Sequence, residues 1–308
     1  MKKLCVIGSL NMDLVTKVEN FPKPGETIVG ESFKTFPGGK GANQAVALGR
    51  LGADVFMIGK VGEDIYGTEY LDVLKNNNVN QSGINIEKGI SSGVAVIQVS
   101  GKGENNIVVI PGANGKVNVK YIESKWDILE EADIFLFQLE IPMTTVTDTI
   151  KKLKDKGKTI ILDPAPATKF PEEIFKYIDY ITPNETEIET LVGKSIDNED
   201  DLKESAQILL DKGVKVVIAK LGSNGAAIIK KDEYVSIPGF KVNAIDTTAA
   251  GDSFNAGFAF ALAEGKELEE CVRFGNAVGA ISTTALGAQE AMPSYKEVMS
   301  FIDSKNNI

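Results

Sequence analysis

The sequence predicts an α/β fold: a mostly parallel central sheet with helices on both faces, plus a small β-sheet lid. Three observations carry that expectation. Short runs such as LCVIGS, DVFMIGKVG, ADIFLFQLE, TIILDP, DYITPNE and VKVVIAKLG are nearly continuous in apolar residues, as strands covered on both faces are. Between them lie the helical patterns GANQAVALGRLG, TTVTDTIKKLKDKG and EDDLKESAQILLDKG, several closed by a glycine suited to a helix C-terminus. Finally, LVTKVENFPKPGETIVGESFKTF and SGVAVIQVSGKGENNIVVIPG alternate like strands around the turn signals PKPG and GKGEN, with no helix inside them. Residues 1–10, 38–90 and 113–308 are therefore assigned to the core, and 11–37 and 91–112 to a β-layer reached by two crossings. Such a layer is a natural lid; an edge hairpin is the plainer alternative.

The first strand, Leu4 to Ile7, is too short an apolar run for a signal peptide, and the polar Asn11 and Asp13 follow at once. No stretch reaches the roughly 20 apolar residues of a membrane span. With 308 residues, 43% hydrophobic and 25% charged, one large core is expected. A formal net charge of −10 argues against nucleic acid as a partner, because such binding needs a basic face. The absence of histidine excludes Ser-His-Asp and Cys-His nucleophiles and histidine metal sites, leaving acid–base work to Asp, Glu, Lys or Tyr. Cys5 and Cys271 form no CxxC pair, so a reduced cytoplasmic protein is expected, without zinc or redox chemistry.

Polar groups gather where strands end and helices start, the edge at which open α/β folds bind ligands. Asn11 and Asp13 follow the first strand, and Glu140 closes IFLFQLE. The stretch FPGGKGANQAV is neither a Walker A loop nor a dinucleotide fingerprint; it reads as a helix-start turn, or as a tight turn presenting Lys40 and Asn43 to hydroxyls. Asn184 and Glu187 have the spacing of a capping box, or could organise hydrated Mg²⁺ beside phosphates. Ser223-Asn224-Gly225 is a hairpin signal.

In DTTAAGDSFNAGFAFALAEG a helix should start near Gly251 or Asp252, with Phe254, Phe258, Ala261 and Leu262 on one apolar face. Asp252 reads as its cap, or as an acid beside an anion site. The side-chain-poor entry Ala249-Ala250-Gly251 favours the second, since it lets an anion reach unpaired N–H groups and a cap needs no such clearance.

Taken in order, GSLNMD, PGGKGANQA, FQLE, TPNETE, KLGSNG and DTTAAGDSFNAG run essentially the full length. In that succession the chain resembles the ribokinase/PfkB carbohydrate kinase family, and the GGKGANQ and DTTAAGD stretches are specific. The resemblance implies a ribokinase-like form of the expected fold and transfer of the γ-phosphoryl group of ATP to the 5-hydroxyl of a sugar, D-ribose first. It implies Asp252 as the base and Ala249, Ala250, Gly251 and Asp252 as the anion hole. Asn11, Asp13, Gly39, Lys40, Asn43 and Glu140 would contact the sugar. Asn184, Lys220, Gly222, Ser223, Asn224, Gly225, Gly251 and Asn276 would lie on the nucleotide side. Asn184 and Glu187 would support Mg²⁺ through water.

A monovalent-cation site for K⁺ is also implied, at Asp246, Thr248, Ser282, Ala285, Gly287 and Ala291, mainly through carbonyl oxygens. Ala291 departs from the family, where a serine is common, and removes one possible oxygen ligand. The β-layer would cover the sugar and pair between subunits of a homodimer. Kinases acting on 2-deoxyribose, a ketohexose or a nucleoside are the alternatives within the family. Asn11 is the discriminator, because 2-deoxyribose kinases tend to carry an apolar residue there. A non-catalytic sugar- or nucleotide-binding regulator would be expected to have lost Asp252 or Gly251, and both are present.

Overall fold

The computed structural model describes residues 1–306. Its strands, in chain order, are Leu4–Ile7 (β1), Asn11–Lys17 (β2), Ser32–Gly38 (β3), Val55–Gly62 (β4), Asn80–Glu87 (β5), Gly93–Val99 (β6) and Asn105–Ile110 (β7). Ile134–Phe137 (β8), Thr159–Leu162 (β9), Tyr180–Ile181 (β10), Val216–Lys220 (β11), Gly225–Lys230 (β12) and Glu233–Pro238 (β13) follow. Among the described residues they form two sheets. The larger has the order β13-β12-β11-β10-β9-β8-β1-β4-β5 and the smaller β3-β2-β6-β7.

In the larger sheet all pairings from β11 to β5 are parallel, and only β12 and β13 add antiparallel. Both faces are covered, which is why its strands are apolar throughout. Leu4 and Val6 enter one hydrophobic cluster with the helices Lys40–Arg50 and Ala250–Ala263, while Cys5 and Ile7 enter the other with Met143–Asp155 and Glu199–Asp211. The small sheet joins the two expected ribbons through a parallel β2–β6 pairing.

Several expectations are refined. The strand in DYITPNE is only two residues long, and β5 and β13 extend the sheet beyond the runs singled out in the sequence. The helix Ala250–Ala263 does not bury one face against solvent on the other. Every residue from Asp252 to Ala261 is buried, because the helix Leu268–Ser282 and the sheet enclose it. Cys5 and Cys271 are free and buried. Among the described residues no helix is long and apolar enough to cross a membrane.

Candidate active site

The strand order reverses at β1. The chain runs outward from β1 to β4 and β5, then returns to β8 on the other side of β1 and continues to β11. Ligands bind beyond the carboxyl ends of the strands at such a reversal. There β1 leads to Ser9 and Asn11, β8 to Gln138 and Glu140, β9 to Asp163 and β10 to Asn184, while Lys220 ends β11.

Asp252 lies in the first turn of the helix Ala250–Ala263, but it does not cap it. The N-cap is Ala249, held in the left-handed region at φ 58° with no side-chain bond to the helix start. An alanine there costs about 1–3 kcal/mol, the kind of local strain that clusters at functional sites. The backbone N–H groups of Gly251 and Asp252 have no acceptor inside the helix. A Cβ on Gly251 would sit 3.5 Å from the Lys220 Nζ, so this open helix start faces a cation.

The Asp252 carboxylate points instead at the helix Lys40–Arg50. Asn43 Nδ2 donates to Oδ2 at 2.9 Å, and Gln44 Nε2 donates to Oδ1 at 3.2 Å and to Asp163 Oδ2 at 3.0 Å. Burial pushes the Asp252 carboxyl up to about 6; Lys40 and the two amides pull it down, and Asp163 pushes it up. Its ionised form is thus available as a proton acceptor near neutral pH. Burial alone would lower the Lys40 ammonium, but Asp252, Asp163, Glu140 and Glu187 together hold it above its ordinary value. Asp13 is pushed up to about 7, mostly by burial, then by Glu140 and Asp252.

The glycines of FPGGKG serve close approach. A Cβ on Gly39, whose φ is 86°, would lie 2.6 Å from Asn11 N, and one on Gly41 2.6 Å from Ser9 N. Glu140 stitches the same turn by accepting from the Ser9 hydroxyl and from Lys40 N–H. Asn11 is 3% exposed, and its oxygen accepts from Asn114 Nδ2 at 2.7 Å, which leaves its amide nitrogen to offer a hydroxyl.

On the other flank, Lys220 Nζ bonds Asp163 Oδ1 at 2.9 Å and lies 3.9 Å from Glu187 Oε2. Asn184 and Glu187 form the capping box their spacing suggested, each side chain bonded to the other's backbone N–H. Gly222, Ser223 and Asn224 make an exposed turn before Gly225 opens β12. Asn276 is buried, and its amide is committed to the carbonyls of Ile237 and Pro238, so it fixes the end of β13 behind that turn.

Asp246 braces the neighbouring loops. It accepts from Thr248 N and Oγ1 through one oxygen and from Gly287 N through the other. Burial opposes ionisation, but these bonds hold its carboxyl below the usual range. The Ser282 hydroxyl turns back onto the Gly279 carbonyl, Ala285 is exposed, and Ala291 is buried. Among the described residues no cluster of three or more His, Cys, Asp or Glu side chains could cage a metal.

Asp163, Gln44, Gln138 and Gln289 belong to this constellation and were missed in the sequence. Asp163 closes TIILDP just as Glu140 closes IFLFQLE, so the strand-end signal was present. Gln44 sits beside Asn43, and nothing local distinguishes it from a helix-surface glutamine.

A profile of the pfkB family carbohydrate kinases matches residues 1–295. The chain belongs to that family. This carbohydrate kinase is 43% identical over 298 residues to the ribokinase of Bacillus subtilis, covering 97% of the chain and 98% of the relative. It is 35% identical over 300 residues to the deoxyribokinase of Salmonella typhi, with 97% and 98% covered. The structure of Arabidopsis thaliana ribokinase complexed with ribose and ATP superposes with a TM-score of 0.92 at 33% identity, covering 98% of each chain.

Proposed function

We propose that this carbohydrate kinase transfers the γ-phosphoryl group of ATP to the 5-hydroxyl of D-ribose, giving ribose 5-phosphate and ADP. The observation that carries the reading is Asp252, a buried carboxylate that caps nothing yet stands at an open helix start. Asp252 takes the hydroxyl proton as the sugar oxygen bonds to the γ-phosphorus and the bond to the β-phosphate oxygen breaks. The N–H groups of Gly251 and Asp252, with Lys220 beside Gly251, stabilise the charge on the phosphoryl oxygens; the N–H of Ala250, expected to join them, is already bonded to the Thr247 carbonyl. Asn11, Asp13, Gly39, Lys40, Asn43 and Glu140 hold the sugar. The turn at Gly222 to Gly225, with Asn184 and Asn276 behind it, holds the nucleotide.

Mg²⁺ keeps its waters and binds largely through substrate phosphates, so it needs no carboxylate cage, and none is found among the described residues. Glu187, whose capping bond uses one oxygen, would hold it through water with Asn184. Mg²⁺ would supply neutralising charge on the phosphates. K⁺ would sit among the loops that Asp246 braces, at Asp246, Thr248, Ser282, Ala285, Gly287 and Ala291, mainly through carbonyl oxygens, with no side-chain oxygen at Ala291.

Residues 11–37 and 91–112 act as a lid over the core, residues 1–10, 38–90 and 113–308, of which 307–308 lie outside the described residues. The edge strand β7 exposes Ile107, Val108, Val109 and Ile110, which a soluble protein covers. A second copy of this sheet would do so in a homodimer. A reducing cytoplasm suits two buried, unpaired cysteines.

A panel of ribose, 2-deoxyribose, ketohexoses and nucleosides assayed with ATP and Mg²⁺ tests the reading. Ribose should give the highest kcat/KM, and the rate should be greater in K⁺ than in Na⁺ or a bulky organic cation. Because ribose satisfies the Asn11 amide and the deoxy sugar leaves it unpaired, the preference should be about ten- to hundredfold. Asn11→Met should erase that preference. Equal losses on both sugars would make Asn11 a structural support only.

A further inference from the structure

Asn43 and Gln44 can each place either an N–H or a carbonyl oxygen against Asp252, and only one choice supports a carboxylate. Behind each stands another buried amide. Gln138 Nε2, at the end of β8, donates to Gln44 Oε1 at 2.7 Å. Gln289 Nε2, from the segment after the helix Leu268–Ser282, donates to Asn43 Oδ1 at 3.0 Å and to the Tyr70 hydroxyl at 3.2 Å. Tyr70 in turn donates to the Gly38 carbonyl.

We infer that Gln138 and Gln289 are positioning residues: each engages the oxygen of an inner amide and thereby points that amide's nitrogen at the Asp252 carboxylate. The inference rests on the reading of Asp252 as the base. Stability alone does not explain the arrangement, because Gln138 Oε1 and Gln289 Oε1 are both buried with no protein donor among the described residues. A buried acceptor left unpaired is costly, and an apolar side chain would avoid it. The main chain is shaped to keep Gln138 as well, since a Cβ on Gly8 would lie 2.1 Å from its Oε1.

The charged groups around Asp252 are Lys40 at the helix start, Asp163 after β9 and Asp13 on β2, with Glu140, Lys220 and Glu187 next to them. None of these is removed when an outer glutamine is replaced; Gln44 also donates to Asp163, so Gln138 acts on both carboxylates, whereas Gln289 acts through Asn43 on Asp252. A donated N–H favours the ionised carboxylate, so its loss raises the pKa of Asp252.

The test is kcat/KM for ribose across pH 5 to 9, at low and saturating KCl, for the wild type, Gln138→Met, Gln289→Met and the control Ser205→Ala, a buried serine on a distant helix. In both glutamine variants the acid limb should move up by about one pH unit. Activity should then fall about eightfold at pH 5.5 and return to near wild type at pH 8.5, at both KCl levels. Ser205→Ala should keep the wild-type profile. A uniform loss at every pH, with the acid limb unmoved, would overturn the inference. Should Gln138→Met not fold, Gln289→Met reads the same shift. Failure of the underlying reading is distinguishable, because Asp252→Asn would then keep its turnover.

Discussion

The helices Glu185–Val192 and Ala250–Ala263 both start at the ligand-binding edge of the main sheet and both carry an acid at the third position, Glu187 and Asp252. At the first, Asn184 accepts from Glu187 N–H while Glu187 accepts from Asn184 N–H, and the helix start is closed on itself. At the second, Ala249 has no side-chain acceptor and Asp252 turns away to Asn43 and Gln44, so the start stays open. An acid in the first turn is therefore no guide to its job. What decides is whether the residue before the helix can accept a hydrogen bond.

The difference is sharpened most by Asp252→Asn. Turnover should fall by about 10²–10⁴ with the thermal midpoint little changed, since the side chain closes no helix N–H. A variant that loses stability but keeps its rate per folded molecule would make Asp252 a cap after all. The same reading fixes the wild-type pH profile. A base must be ionised, so kcat/KM should fall as pH drops through about 6, the value set chiefly by burial. An acid limb absent from that region would break the assignment.

Next in size is Gly251→Val. A Cβ there meets nothing closer than Lys220 Nζ at 3.5 Å, so the fold should tolerate it, while the branched chain crowds the open N–H groups. We expect kcat to fall about 10²–10³-fold, as when an oxyanion donor is removed. Retained turnover would show that no anion docks there.

At the closed start the effect should move from rate to stability. Asn184→Ala should cost about 0.5–2 kcal/mol in denaturant unfolding and raise the ATP and Mg²⁺ concentrations needed, leaving kcat near wild type once both are saturating. A collapse of kcat under those conditions would erase the contrast between the two helices. The smallest effect is expected for Ala249→Gly, which relieves a left-handed alanine against the greater freedom of glycine when unfolded. The balance is a gain of about 0.5 kcal/mol, read from the same unfolding curves.

The apolar strand runs and the alternating ribbons were legible because burial on two faces or one writes a period into the chain. The helix Ala250–Ala263 was legible in position and in its apolar face, but its burial extends well beyond that face. Its face toward Leu268–Ser282 is lined by small residues such as Gly257, packed against Val278, and these carry no strong hydrophobic signal.

In the site, the order of motifs located Asp252, Lys40, Asn43 and Glu140. It missed the amides that orient them, because Gln138 meets Gln44 across 94 residues and Gln289 meets Asn43 across 246.

The sequence by itself determined the layered architecture, the edge where polar groups collect and the capping box at Asn184, whose two bonds span three residues. Local chemistry suffices where both partners lie within one helical turn. Only the tertiary structure decided that the Asp252 carboxylate turns to Asn43 and Gln44 rather than to its own helix. Its amide partners lie 209 and 208 residues away, and a side chain's choice between near and distant partners is made by packing.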